Sequence, residues 1–244
     1  MTPAQTLQRF ALGLVAAAAA LTAAPVVHAA DTLSFNASLT TDYRYRGISQ
    51  SRLKPALQGG VDYATDGGFY VGAWGSTIKW IKDVGGDADA EFDLYAGYKT
   101  EIASGLTLDV GVLQYYYPSN KLNPSANTLE GYGALSYGPA TLKVSRSFTN
   151  LFGFGDSKGS MYYDLSATFD LGGGYSITPH IGRQTVKNLS AASYTDASLT
   201  LNKAIDALTL SIGVVDAKTG AYFSPVGNKD LGKRGVVLSA KYVF

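Results

Sequence analysis

Between Leu33 and Arg46 apolar and polar side chains alternate without a break over fourteen residues. Leu33, Phe35, Ala37, Leu39, Thr41, Tyr43 and Tyr45 share one parity; Ser34, Asn36, Ser38, Thr40, Asp42, Arg44 and Arg46 share the other. A period of two predicts a strand with two unlike faces and leaves no helical stripe to draw. The pattern recurs to the C-terminus. Its apolar parities include Leu57 to Tyr63, Phe69 to Ala73, Phe92 to Tyr98, Leu106 to Val112, Leu142 with Val144, and Tyr163 to Phe169. They continue through Tyr175 to Ile181, Ala197 to Leu201, Leu208 to Val214 and Val236 to Phe244. In 128–137 two parities compete, Leu129 with Leu135 or Tyr132 with Ala134. The reading gives twelve strands.

After residue 30 no stretch is long and apolar enough for a spanning helix. Two-faced strands cross a membrane only as a closed barrel, because lipid offers no partner to an open edge. A mean hydropathy of +0.03 suits strands that face lipid on one side and water on the other. The expected fold is therefore an all-β, transmembrane, antiparallel up-and-down barrel.

The connections point the same way. Asp66-Gly67-Gly68, Ala103-Ser104-Gly105, Gly138-Pro139, Gly172-Gly173-Gly174 and Ala204-Ile205-Asp206 read as tight turns. Between them lie longer segments at 47–54, 80–90, 118–127, 150–159, 187–193 and 216–233. Short periplasmic turns alternating with long external loops are the habit of outer-membrane barrels. Strands of about eleven residues, tilted some 40°, rise about 28 Å, enough for an apolar band of about 25 Å. Aromatic residues sort by height. Tyr63, Phe69, Tyr98, Phe169, Tyr175, Tyr242 and Phe244 flank short turns or the C-terminus, while Tyr45, Tyr116, Phe148 and Tyr163 lie near long loops. Two interfacial girdles are expected.

The first residues read as an export signal. One positive charge, Arg9, precedes an apolar run over 11–24, then Pro25 and Val27-His28-Ala29. This is the order of a secretory signal peptide. Residues 1–29 are assigned to it, with cleavage after Ala29, which puts Val27 at −3, or after Ala30; residues 30–244 form the barrel. The expected location is the outer membrane of a Gram-negative cell.

Composition excludes several chemistries. With no Cys there are no disulfides and no thiolate sites. Loss of Arg9 with the leader leaves 19 basic against 19 acidic residues, so nothing draws the chain to nucleic acid. A single mature histidine, His180, rules out a His-based metal cluster, and no cofactor is expected.

A resemblance adds to this reading. Asp42-Tyr43-Arg44-Tyr45-Arg46-Gly47-Ile48-Ser49-Gln50-Ser51 resembles the TorF family of porin-like proteins. The likeness extends through Pro55-Ala56-Leu57-Gln58-Gly59-Gly60, Gly68-Phe69-Tyr70-Val71-Gly72-Ala73-Trp74-Gly75-Ser76 and Glu91-Phe92-Asp93-Leu94-Tyr95-Ala96-Gly97-Tyr98. It is strong over residues 33–100 and diffuse beyond, and it implies an outer-membrane barrel of porin type. The last strand, with Tyr242 and Phe244 closing an alternating apolar run, is also similar to the assembly signal of outer-membrane proteins. That similarity implies recognition by the barrel-assembly machinery.

Opposite the apolar faces the alternation places Asp42, Arg44, Arg46, Glu91, Asp93, Lys99, Glu101, Asp109, Lys143, Asp164, Asp170, His180, Gln184 and Lys241. Such charges are expected to line a hydrated lumen and to select solutes. Arg44 and Arg46 either form a constriction that attracts anions or pair with Glu91 or Asp93 and fall silent. Arg146 and Arg183 fall on the lipid parity, near the external ends, where snorkelling accommodates them. The primary functional reading is a channel for passive diffusion of small polar or charged solutes, with outer-membrane lipid around it. Two readings compete. A closed structural or adhesive barrel would act through its loops, the apolar Leu151-Phe152-Gly153-Phe154 among them. An outer-membrane hydrolase would need His180 with Ser166 or Ser176, and no motif supports it. The solute and the oligomeric state have no sequence signature here.

Overall fold

The computed structural model describes residues 31–244, so the expected leader and its cleavage positions lie outside the described residues. The barrel strands are β1 (Thr32–Thr40), β2 (Ala56–Ala64), β3 (Phe69–Thr77), β4 (Ala90–Ala103), β5 (Leu106–Tyr116) and β6 (Thr128–Tyr137). They continue as β7 (Ala140–Ser147), β8 (Met161–Ala167, then Phe169–Gly172), β9 (Tyr175–Thr185), β10 (Tyr194–Ile205), β11 (Leu208–Lys218) and β12 (Gly235–Val243). Each pairs antiparallel with its neighbours in the chain. The ring closes where β12 pairs with β1, Ala37 opposite Tyr242 and Leu39 opposite Ala240. Among the described residues closure leaves only the short Phe169–Gly172 piece of the wall paired on one side alone.

Polarity is inverted relative to a soluble protein. Leu33, Leu57, Leu94, Leu165, Leu199 and Leu238 are exposed on the outside. Thr40, Ser76, Asp109, Glu130, Ser145, Asp164, Asp196 and Lys241 are buried within. A water-soluble sheet would gain by the reverse arrangement. An arginine or lysine on the outer face costs about 2–4 kcal/mol at mid-bilayer, so alternation is enforced there.

Twelve strands make the wall, but the eighth is in two pieces. Thr168 separates them, its N–H bonding the carbonyl of Pro139. Pro179 on β9 lies beside the break; lacking an N–H, it cannot donate to the ladder. In β6 the two-way reading resolves: Leu135 and Tyr137 face out, while Glu130, Ala134 and Ser136 are buried inside. The Gly172-Gly173-Gly174 turn has all three φ values positive, a path closed to most side chains. Tyr116, Phe148 and Tyr163 at the external rim, and Tyr63, Phe69, Phe169, Tyr175, Tyr242 and Phe244 at the periplasmic rim, are exposed outward.

One expectation from the alternation fails. The first strand ends at Thr40, and the chain then turns inward as a short hairpin, Arg44–Tyr45 paired with Ile48–Ser49. Tyr43 is 2% exposed and Tyr45 packs against the interior Tyr115, so neither belongs to a lipid-facing girdle. Arg44 and Arg46 therefore do not lie side by side on a wall strand. The physical reason is the two-residue turn Arg46-Gly47, with φ of 47° and 80°. Positive φ at both positions is the primed turn that hairpins favour.

Candidate functional site

The hairpin occupies the external half of the lumen and is held by its own polar side chains. Asp42 accepts hydrogen bonds from the Ser49 hydroxyl (2.5 Å), the Ser51 hydroxyl (3.2 Å) and Arg44 Nε (2.5 Å). The Tyr43 N–H donates to Ser51 Oγ (3.0 Å), and the Gln50 N–H to the Tyr43 carbonyl (2.7 Å). Arg44 then reaches the last loop, donating to the carbonyls of Leu231 (3.0 Å) and Lys233 (3.2 Å). At the tip a Cβ on Gly47 would meet Asp196 Cβ at 2.6 Å and Ala217 Cβ at 3.0 Å. Glycine is thus required both by φ and by the closeness of the β10–β11 wall.

Arg46 crosses the lumen from this tip. It donates to both carboxylate oxygens of Glu130 on β6 (3.0 and 2.7 Å) and to Oε1 of Gln184 on β9 (2.8 Å). Its guanidinium lies 4.2 Å from the centre of the Tyr162 ring and 4.7 Å from that of Tyr45. Arg46 is 5% exposed and Glu130 2%. Burial opposes the charge on Arg46, but Glu130 outweighs it, and the guanidinium stays protonated well above its ordinary range. Burial likewise pushes the Tyr43 and Tyr45 hydroxyls well up, so both remain neutral. The Tyr45 and Tyr115 hydroxyls bond each other at 2.6 Å.

An apolar cluster backs the hairpin on one side. Tyr43, Ala56, Ile78, Ile81, Tyr115 and Tyr117 are among its buried members, and the short helix Trp80–Asp83 supplies the lid. Arg52 ties this helix by an ion pair to Asp83. The apolar segment of the fourth loop folds in rather than out: Leu151 is buried, and Phe152 packs edge-on against Tyr45 (5.6 Å) and Tyr115 (5.1 Å).

Towards the periplasm the lumen is lined by tyrosines and paired charges. Tyr70 donates to Asp109 Oδ1 (2.5 Å) and bonds the Tyr132 hydroxyl; Tyr95 bonds Asp62. Lys143 Nζ sits 3.9 Å over the Tyr132 ring. At the hairpin tip Tyr162 donates to Asp196 (3.0 Å), and below it His180 Nε2 meets Asp164 Oδ2 at 2.8 Å. These rings lie flat on the wall where the next strand offers glycine. A Cβ at Gly72 would fall 2.5 Å from the Tyr95 ring, and one at Gly97 2.3 Å from the Tyr70 hydroxyl.

The predicted residues fall into distinct places. Asp109, Lys143 and Asp164 lie in the tyrosine-lined half; Glu91 and Asp93 stand behind the hairpin, Glu91 accepting from the Tyr117 hydroxyl at 3.2 Å. Lys99 is half-buried on the same parity of β4. Asp42 and Arg44 serve the hairpin itself. Asp170 is exposed at the periplasmic end and accepts from the Gly172 N–H (2.8 Å), away from the others. Glu101 similarly caps the turn at Gly105 (2.9 Å). Arg46 pairs with Glu130, neither of the partners considered for it from sequence. Glu130, Asp62 and Asp196 were not singled out. Glu130 had a usable signal, since a charge in the ambiguous 128–137 stretch has to face inward.

A closed ring of twelve two-faced strands with a charged interior defines a transmembrane β-barrel of the outer-membrane type. The chain belongs to the family described as Bacterial protein of unknown function (Gcw_chp), whose model matches residues 24–244. That match does not carry the TorF name. No curated protein sequence matches the chain. Among solved structures it is similar to a KdgM porin, with a TM-score of 0.57 and 9% identity over 86% of this chain and 99% of that one. It is similar to the NanC porin with a TM-score of 0.57 and 12% identity over 86% and 99%. A KdgM porin in complex with disordered oligogalacturonate gives 0.56 and 8% over 87% and 98%. At these identities the likeness is one of fold.

Proposed function

We propose that the chain forms a passive outer-membrane channel for small polar or charged solutes, narrowed on the external side by the Arg46 hairpin. One observation carries this: the polar parity is continuous around a closed wall, and its carboxylates outnumber its cations. Among the wall residues not packed behind the hairpin, Asp62, Asp109, Asp164 and Asp196 stand against Lys99, Lys143 and Lys241. With Arg46 neutralised by Glu130 and Arg44 by Asp42, the excess is negative. Rings of such charge select ions by sign. In a KCl gradient across a planar bilayer the reversal potential is expected to have the sign of cation preference. A zero or anion-selective potential would remove the lumen charges from the selectivity account. The shared motifs at 42–51 and 68–76 support the porin reading associated with the TorF resemblance.

The leader at 1–29 supports export, and Tyr242 with Phe244 supports recognition by the assembly machinery. Phe244 is 71% exposed, its ring against Tyr242 at 5.0 Å, while its N–H bonds the Phe35 carbonyl (2.8 Å). Deleting Phe244 removes little that packs the barrel, so the refolded variant should match wild type in thermal stability. In cells it should reach the outer membrane at a markedly reduced level, measured by quantitative blotting of membrane fractions. Equal levels would deny Phe244 that role.

A second reading has one observation in its favour. The hairpin fills so much of the external half that a barrel permanently closed, acting through its loops, would be built the same way. Conductance separates the two. Catalysis is no part of the proposal: the His180 ring is held by Asp164 and Tyr162 inside the lumen.

A further inference from the structure

Above the hairpin the external loops line a half-open cavity of about 340 Å³, in the size range of small-molecule sites. Seven aromatic residues line it: Tyr45, Trp80, Phe152, Phe154, Tyr194, Tyr222 and Phe223. They come from five separate segments of the chain and brace one another edge-to-face, Phe154 on Tyr222 at 6.1 Å and Tyr194 on Tyr222 at 5.1 Å. A wall held this way is pre-formed and does not depend on a ligand to assemble it.

Most polar groups in the wall are already engaged; among the described residues the Trp80 indole N–H is the buried donor left without a partner there. Gln184 gives its oxygen to Arg46 (2.8 Å) and its amide to the carbonyls of Met161 (3.1 Å) and Thr185 (3.2 Å). The Gln50 amide donates to the Ile48 carbonyl (2.9 Å), and the Ser49 hydroxyl to Asp42 (2.5 Å). Asp83 is neutralised by Arg52. Among the described residues none of the lining side chains is lysine, arginine or histidine.

We infer that this vestibule is a binding site for an uncharged compound with an aromatic or alicyclic ring. A charged solute would lose hydration and find no free counter-charge, and a sugar would leave most of its hydroxyls unpaired. An apolar ring loses only its contact with water and gains the aromatic wall, at roughly 25 cal/mol per Å² of apolar surface buried. The hairpin residues Tyr45, Ile48, Ser49 and Gln50 form part of the wall, so the whole site exists only with the hairpin in the lumen. The site does not depend on whether the barrel conducts.

Trp80 is a built-in reporter, since the chain has two tryptophans and Trp74→Phe leaves it alone. The Trp74→Phe protein in lipid nanodiscs is titrated with benzyl alcohol, benzyltrimethylammonium, maltose and galacturonate, following Trp80 emission. A saturable change with benzyl alcohol is expected, at lower concentration than for any of the other three. Phe154→Ala should weaken it at least about tenfold, the effect of about 1.4 kcal/mol. Leu122→Phe, which adds bulk to the wall instead of removing it, should also weaken it, with both variants checked for the folded barrel by circular dichroism. A change that rises linearly and equally in all three proteins is partition into lipid and overturns the site. Tighter saturation by the ammonium ion, maltose or galacturonate overturns the ligand class. Loss of conductance with binding retained would strike the channel proposal and leave this one standing.

Discussion

Arg46→Ala should raise the rate at which small solutes cross the barrel by several-fold. Wild-type Arg46 satisfies Glu130 and Gln184 at once, and all three are nearly inaccessible. Truncating one partner of such a pair strands the other as an unpaired buried charge, at about 3–5 kcal/mol. The stranded carboxylate recovers water only if the hairpin leaves. What still holds the hairpin is the Asp42 network, the Arg44 bonds to the last loop and the apolar cluster around Tyr43. The wall strands pair around the ring without the hairpin, so the variant should fold. The measurement is swelling of protein-loaded liposomes in arabinose and in larger neutral sugars. Replacing both partners with leucine removes the stranded charge and should return swelling towards the wild-type rate. Equal swelling in wild type and Arg46→Ala would mean that the hairpin does not limit passage.

A pair of adjacent substitutions on β10 should separate the two faces. Leu199 is exposed at mid-strand on the outer face, and Ser198 points inward opposite His180. Leu199→Arg places a guanidinium in hydrocarbon and should destabilise the barrel by about 2–4 kcal/mol. Ser198→Arg places the same group among the carboxylates Asp164 and Asp196 and should leave stability nearly unchanged while reducing cation preference. Refolding into lipid vesicles over a urea series measures the first effect, and reversal potentials the second. Comparable destabilisation by both would contradict the assignment of faces.

Much of this architecture can be read from sequence because lipid punishes errors of parity on every wall strand. Leu165 and Asp164, or Leu199 and Ser198, reveal their faces by type alone. Twelve strands and alternating loop lengths follow from the same rule. The hairpin is hidden for the opposite reason. Asp42 to Arg46 keep the alternation that β1 began, yet once the chain leaves the wall, alternation no longer reports lipid or water. The overlooked signal is chemical: Arg46-Gly47 between two short pairs, with Ser49 and Ser51 in reach of Asp42. Arg46's true partners could not be read, since Glu130 and Gln184 lie on strands far along the chain and meet it only through barrel closure. The vestibule is hidden likewise, its rings being supplied by loops with no periodicity.

Single-channel recording in a planar bilayer, with refolded wild type and Arg46→Ala side by side, tests the central claim most directly. The account predicts discrete, cation-preferring steps from the wild type and larger steps from the variant. Intact barrels, verified by their circular dichroism, that give no discrete conductance in either form at any salt concentration would contradict it.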